Sequence, residues 1–209
     1  MNTNSLCSNF VRSCCEDNSG DLWIGTFNGL NRYDRETGKF HLYTANGNSP
    51  DGLTHSSIWC IVKDGQGTIW LGTYFGGVNY FNPEYEIYPR YKVGDTEKAG
   101  LSSPIVGRMT EDKDGNLWIC TEGGGVNVYD RINNTYRWYR HEEGRNSISH
   151  NNVKAIYYDR ANEIMWIGTH LGGLNKLDLR TTRFTVYRMK AGDPTSLPSD
   201  IVRDIIPYT

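Results

Sequence analysis

Four tryptophans, Trp23, Trp70, Trp118 and Trp166, recur at spacings of 47, 48 and 48 residues, and the residues around them recur in phase. The local phrases read LWIGTFNGLNRYD, IWLGTYFGGVNYFN, LWICTEGGGVNVYD and MWIGTHLGGLNKLD. An aromatic pair follows each phrase, at Phe40/Tyr43, Tyr88/Tyr91, Tyr136/Tyr139 and Phe184/Tyr187. A fixed period of about 20–50 residues means one supersecondary unit copied and packed against its own copies. The chain is a repeat array, so the question of function moves to the columns where the copies differ.

Each copy has four parts. An apolar opening run, VRSCC (11–15), IWCIV (58–62), VGRMT (106–110) or VKAIY (153–157), leads to Asp17, Asp64, Asp112 or Asp159. The tryptophan run is second, a run from Asn31, Asn79, Asn127 or Asn175 is third, and the aromatic pair marks the fourth. Short runs rich in Val, Ile, Tyr, Trp and Thr, bounded by Gly, Asn and Asp, are strand and turn signals. No stretch sustains the i, i+3, i+4, i+7 pattern of a helix. DNSGD, DGQGT and DKDGN place Gly where a tight hairpin needs positive φ. Gly76-Gly77, Gly124-Gly125 and Gly172-Gly173 supply the second reversal, for which the first copy has Gly29 alone; RETGK (35–39) and RINNT (131–135) supply the third.

Repeated antiparallel units of four strands predict an all-β fold, a β-propeller segment. Its four four-stranded blades are expected at about 5–48, 49–96, 97–144 and 145–192, with SLPSDIVRDIIPYT (196–209) supplying the first strand of a fifth. Both faces of a blade are buried against neighbours, so the tryptophan column is expected to pack between blades. Met1 occupies the repeat slot of Gly192. The chain is therefore expected to be part of a larger propeller, or of a ring completed by another chain, with open blade edges that favour self-association.

A net charge of −2 with no run of like charges argues against a nucleic-acid or anionic-membrane partner. Cys7, Cys14, Cys15, Cys60 and Cys120 show no CxxC spacing. They read as small apolar fillers without a disulfide framework, and no metal or cofactor is expected. Cys120 stands where the other copies have Gly25, Gly72 and Gly168, and Cys14 and Cys15 should face opposite sides of a strand. No apolar run approaches the ~20 residues that span a bilayer, and the N-terminus lacks a basic-then-apolar leader.

The phrase D-x-x-G-x-L-W-I-G-T-x-x-G-L-N-x-Y-D stands at Asp17 to Asp34 and Asp112 to Asp130, with small departures in the other copies. It resembles the two-component regulator propeller repeat, and the resemblance covers essentially the whole chain. The departures are Cys120 for Gly and one extra residue between Asp159 and Trp166. Such repeats are similar to those in the periplasmic sensor half of hybrid two-component proteins of gut Bacteroidetes. There, two propellers and an immunoglobulin-like domain precede a membrane helix, a histidine kinase and a response regulator. The resemblance implies a non-catalytic, periplasmic sensory segment that detects oligosaccharides during polysaccharide utilisation. The implied partners are an oligosaccharide ligand and the remaining blades of the parent propeller; no H-box, ATP-binding or receiver segment is present in the sequence.

Framework columns repeat, whereas recognition columns need not. The loop after the tryptophan run reads Phe27-Asn28, Tyr74-Phe75, Glu122-Gly123 and His170-Leu171. The lead-in to each opening run reads Ser8-Asn9, His55-Ser56, Ser103-Pro104, His150-Asn151 and Ser199-Asp200. In a propeller both sets emerge on one face, around the central channel. The candidate ligand-binding residues are Phe27, Asn28, His55, Tyr74, Phe75, Glu122, His150 and His170. Aromatic platforms beside polar loop residues suit a sugar, which offers an apolar ring face and a hydroxyl edge. Each has a plainer role to weigh: Tyr74 and Phe75 capping a blade's apolar edge, His55 and His150 bonding to their own loops. Arg12, Trp59, Lys154 and Arg203 share one column of the opening run and are candidates to line the channel.

A protein-interaction platform is the alternative function, although the Gly-His and Trp-Asp marks of WD repeats are lacking. A carbohydrate-active enzyme is the third. No acid/base pair is placed by spacing, and the Asp of a sialidase-type Asp box is replaced by Asn18, Gly65, Lys113 and Ala161.

Overall fold

The structure is a computed structural model that describes residues 4–45, 52–81, 90, 91, 93, 94, 96 and 100–207. Met1 and Tyr88 lie outside the described residues. The chain divides into two compact units, residues 1–93 with 104–106, and residues 94–103 with 107–209.

In the first unit, β1 (Val11–Glu16), β2 (Leu22–Thr26), β3 (Leu30–Asp34) and β4 (Lys39–Tyr43) form one antiparallel meander. A second is formed by β5 (Ile58–Lys63), β6 (Ile69–Thr73), β7 (Val78–Phe81) and β8 (Arg90–Tyr91). The second unit holds β9 (Val106–Glu111), β10 (Leu117–Thr121), β11 (Gly125–Asp130) and β12 (Thr135–Tyr139), although Val106 itself groups with the first unit. Its other sheet is β13 (Val153–Asp159), β14 (Ile164–Thr169), β15 (Leu174–Asp178) and β16 (Arg183–Tyr187). These are four antiparallel four-stranded sheets, one per repeat, and the described residues contain no helix. The fold is a β-propeller segment.

The first hairpin of three repeats is closed by the same buried carboxylate. Asp17 Oδ1 accepts the backbone N–H groups of Ser19 and Asp21, Asp64 those of Gln66 and Thr68, and Asp112 those of Asp114 and Asn116, all within 2.9–3.0 Å. The other oxygen accepts the indole Nε1–H of Trp23, Trp70 or Trp118 at 2.7, 2.8 and 2.8 Å. Gly20, Gly67 and Gly115 complete the turn at φ of 86, 90 and 80°, which a side chain would strain. One aspartate thus shapes the turn and fixes the orientation of the large ring beneath it.

The extra residue in the fourth repeat breaks this arrangement. Asp159 there bonds to the Asn162 side chain at 2.8 Å, and the turn places Glu163 at a φ of 54°. Among the described residues no hydrogen bond joins Asp159 to Trp166. Trp166 is also only half-buried, whereas Trp23, Trp70 and Trp118 are at most 3% exposed.

Stacking follows the same periodicity. The ring of each tryptophan lies near the second member of the aromatic pair in its own sheet: Trp23–Tyr43, Trp70–Tyr91, Trp118–Tyr139 and Trp166–Tyr187, with centroids 5.6–6.1 Å apart. Between the sheets of the first unit, Trp23 meets Phe81 at 4.7 Å amid Leu30, Ile58, Ile69 and Leu71. In the second unit, Trp118 joins Val153, Met165, Leu177 and Phe184 in one core. Trp23 and Trp118 therefore pack between sheets, and Gly25 permits the approach in the first unit: a Cβ there would lie 2.8 Å from Ile58.

The cysteines depart in part from the filler role. Cys60 and Cys120 are buried in the cores, but Cys14 is exposed. Cys15, on the other face of β1, is a thiol that burial pushes up to about 11. Cys7 behaves as a hydroxyl: its Sγ accepts from Asn31 Nδ2 at 3.0 Å and lies 3.2 Å from Thr26 Oγ1. All five are free. Of the segment expected to open a fifth blade, residues 201–207 are irregular. The segment is nonetheless bonded to the fourth sheet and its loop: Val202 N–H donates to the Thr169 carbonyl at 3.0 Å, and the Asp200 carbonyl accepts from Gly173 N–H at 2.8 Å.

Replacing Asp112 by Ala removes four hydrogen bonds to a buried carboxylate and should cost about 3 kcal/mol in urea unfolding. Asp159→Ala should cost far less, because its carboxylate has no indole to hold. Equal losses for the two would show that the carboxylate–indole tie contributes nothing.

Candidate functional site

The variable loops are held by columns that do not vary. Asn31, Asn79, Asn127 and Asn175 are fully buried on the third strand of each repeat. Their Oδ1 atoms accept the backbone N–H groups of Cys7, Thr54, Ser102 and Ser149, at 3.1, 3.1, 2.8 and 2.9 Å. Each asparagine thereby pins the lead-in segment some two dozen residues earlier. The equally buried Thr26, Thr73, Thr121 and Thr169 donate their hydroxyls at 2.9 Å to Gly29, Gly77, Gly125 and Gly173 carbonyls, closing the loop that follows the tryptophan strand. In the sequence the asparagines mark only where the third strand begins; their four-fold recurrence was the signal for the anchor.

The two loops are also tied to each other. Phe27, Tyr74 and His170 donate their backbone N–H groups to the carbonyls of Phe10, Ser57 and Asn152, at 3.1, 3.1 and 2.9 Å. In the third repeat Ser103 Oγ donates to the Glu122 carbonyl at 2.8 Å. Both loops of a blade therefore emerge together.

His55 and His150 make the local bonds weighed as their plainer role. Each accepts through Nδ1 the backbone N–H two residues on, from Ser57 and Asn152 at 3.0 Å, which leaves the ring proton on Nε2. Ser8 and Ser199 do the same with Oγ, toward Phe10 and Ile201. Asn28 lies exposed in its turn, where its backbone N–H donates to Thr26 Oγ1.

The opening strands carry a second device. The ladders β1–β2, β5–β6 and β13–β14 shift register between Val11 and Ser13, Ile58 and Cys60, and Val153 and Ala155. A bulge re-aims the residue it carries. Those residues are Arg12, Trp59 and Lys154, three of the four expected to share a lining column.

In the first unit the structure gathers Phe27, Arg12, Trp59, Tyr74 and Phe75 into one ladder. The Arg12 guanidinium carbon sits 5.8 Å from the Phe27 ring and 4.7 Å from that of Trp59. Trp59 stacks on Tyr74 at 5.0 Å with planes 13° apart, and Tyr74 meets Phe75 edge-on at 4.5 Å. His55 faces the Tyr74 ring edge at 6.4 Å. The two end members are open to solvent, Phe27 being 51% and Phe75 56% exposed. Trp59 Nε1–H is shielded and has no acceptor among the described residues.

The second unit fills the same columns differently. Lys154 and Glu122 form an ion pair, and His150 and His170 lie in adjacent loops joined through Asn152. Of the eight candidates, Phe27, Asn28, His55, Tyr74 and Phe75 lie in the first unit, and Glu122, His150 and His170 in the second.

A β-propeller segment with its variable side chains on paired loops is the class that this geometry defines. The two-component regulator propeller model matches residues 5–28, 52–75, 100–123 and 147–170, one match per repeat. The chain belongs to the two-component regulator propeller family. Its fold is similar to the extracellular domain of a putative hybrid two-component system from B. thetaiotaomicron, with a TM-score of 0.77 at 23% identity over 87% of this chain and 25% of that one. A second putative hybrid system from the same organism gives 0.51 at 24% identity, covering 94% of this chain and 33% of that one. Virginiamycin B lyase from Staphylococcus aureus gives 0.64 at 14% identity, covering 90% and 59%. The chain spans about a quarter of the first of these structures. Among curated proteins nothing matches. At such identities the likeness is one of fold, and a fold that also carries a lyase does not choose a function.

Asn175→Ala should destabilise the second unit by about 2 kcal/mol, because the Ser149 N–H is left buried without an acceptor. Native-state exchange of the Ser149 amide should accelerate while amides of β14 hold. Unchanged exchange would mean that the lead-in loop does not depend on the anchor.

Proposed function

We propose that the chain is a non-catalytic, ligand-reading part of the periplasmic sensor region of a hybrid two-component histidine kinase/response regulator, and that its ligand is an oligosaccharide released from polysaccharide. The remaining blades of the parent propeller would continue the array. The observation that carries this reading is the aromatic ladder of the first unit, raised on loops that buried Thr and Asn side chains hold in place. A pyranose ring stacks its C–H face on an exposed aromatic and presents hydroxyls at its rim. Phe27 and Phe75 offer such faces, and the Trp59 N–H and the His55 ring supply polar groups beside them. Family membership supports the sensory role, and the extracellular placement of the similar domains supports the location. Glu122, the one carboxylate among the candidate residues, is held by Lys154, which suits a structural charge better than a proton donor.

Calorimetric titration of the chain with oligosaccharide digests tests this. Tyr74→Ala and Phe75→Ala should each weaken binding about tenfold through lost stacking and buried area, with the fold intact. Unchanged titration curves would remove the ladder as the platform, and hydrolysis or elimination of the bound glycan would end the non-catalytic reading.

A further inference from the structure

Arg12 is the odd member of the ladder. It is exposed, and it rests on π faces, over Trp59 at 4.7 Å and Phe27 at 5.8 Å. Among the described residues it forms no ion pair and no hydrogen bond. A guanidinium whose faces are covered by rings keeps its in-plane N–H groups, and those form a planar fork that matches a carboxylate or other oxyanion. Covering the faces also removes water from around the charge, which strengthens any pair made at the edge.

The second unit provides the internal comparison. Its bulge-column cation, Lys154, is neutralised by Glu122 from the loop after the preceding tryptophan strand. The corresponding pair of columns in the first unit holds Trp59 and Phe27, with Arg12 between the rings. There the described residues supply a cation and two platforms but no counter-charge. The shielded Trp59 Nε1–H, without an acceptor, is a second donor in the same ladder.

We infer that the ladder binds an acidic saccharide, with its oxyanion on the Arg12 fork and a sugar ring against the flanking aromatics. This rests on the glycan reading above and names the chemistry of the ligand. The Trp59 indole is the second hydrogen-bond donor to that ligand. Arg12 sits on a bulge, so its aim is set by backbone geometry and not by a partner side chain.

The test is calorimetry on the whole chain with matched pairs: short galacturonate and glucuronate oligomers against galactose and glucose oligomers of equal length, and a sulfated oligomer as a third arm. Acidic oligomers should bind about tenfold or more tightly than neutral ones, by an advantage that shrinks as salt rises. Arg12→Gln should abolish the advantage without changing the thermal midpoint, and Arg12→Lys should restore only part of it, because a point charge lacks the fork. Lys39→Gln, on the outer strand β4, should leave binding unchanged, which separates a local pair from general attraction. A sulfated oligomer preferred over uronates with the same Arg12 dependence would support the oxyanion site and assign sulfate as its group. Equal binding of acidic and neutral oligomers, or acid binding indifferent to Arg12→Gln, would overturn the inference and leave glycan recognition standing. Absence of binding in every arm would overturn both.

Discussion

A carboxylate buried under a hairpin and bonded to an indole organises each of the first three blades. Burial of an ionised group is costly unless its lone pairs are satisfied. Here two backbone N–H groups and one indole N–H satisfy Asp17, Asp64 and Asp112. The backbone bonds dictate the turn, the turn sets the register of the first two strands, and the indole bond fixes the ring, which for Trp23 and Trp118 lies between sheets. Burying a ring of that size contributes about 2–3 kcal/mol, comparable to the hydrogen bonds that orient it. Packing and polar satisfaction therefore reinforce each other. In the fourth repeat one extra residue diverts Asp159 to Asn162, and among the described residues no hydrogen bond joins Asp159 to Trp166.

This division of labour explains how a rigid scaffold carries variable chemistry. The Asp, Thr and Asn columns point inward and bond mostly to backbone. The loop residues they hold contribute main-chain N–H groups, as Phe27, Tyr74 and His170 do, and their side chains are released from any structural duty. A Phe, Tyr, Glu or His at that position leaves the framework bonds untouched. Function concentrates on such loops because changes there cost the fold little.

The repeat period, the strand pattern and the hairpin glycines made the architecture legible in the sequence, since strand length, turn chemistry and periodicity are all local properties. The paired loops were legible as well, because a propeller blade returns its chain to the same end after every second strand. What the sequence could not convey was contact. Trp59 reads as a candidate to line the channel, but its stacking on Tyr74 depends on a bulge in the opening strand. Bulges depend on how two strands pair, which no single run records. Cys7 reads as a small filler because its hydroxyl counterparts, Thr54, Ser102 and Ser149, show their shared role only once the asparagine anchor is seen. Glu122 and Lys154 are 32 residues apart, and nothing in their local context pairs them.

The contrast between the units follows from the same geometry. A bulge residue on one blade and a loop residue on the blade before it converge at a fixed place, whatever they are. When the two are Lys154 and Glu122 they neutralise each other, and the position is electrostatically closed. When they are Trp59 and Phe27 they leave a slot lined with π faces, which a neighbouring guanidinium enters without losing its donor edge. Three differences, Phe27 for Glu122, Trp59 for Lys154 and Arg12 for Gly107, thus replace an ion pair by a cation on a stacking platform, with no counter-charge among the described residues. Repeats that share a framework can diverge in the chemistry of these columns alone, and among the described residues the unpaired Arg12 charge tells the first blade pair from the Lys154–Glu122 pair.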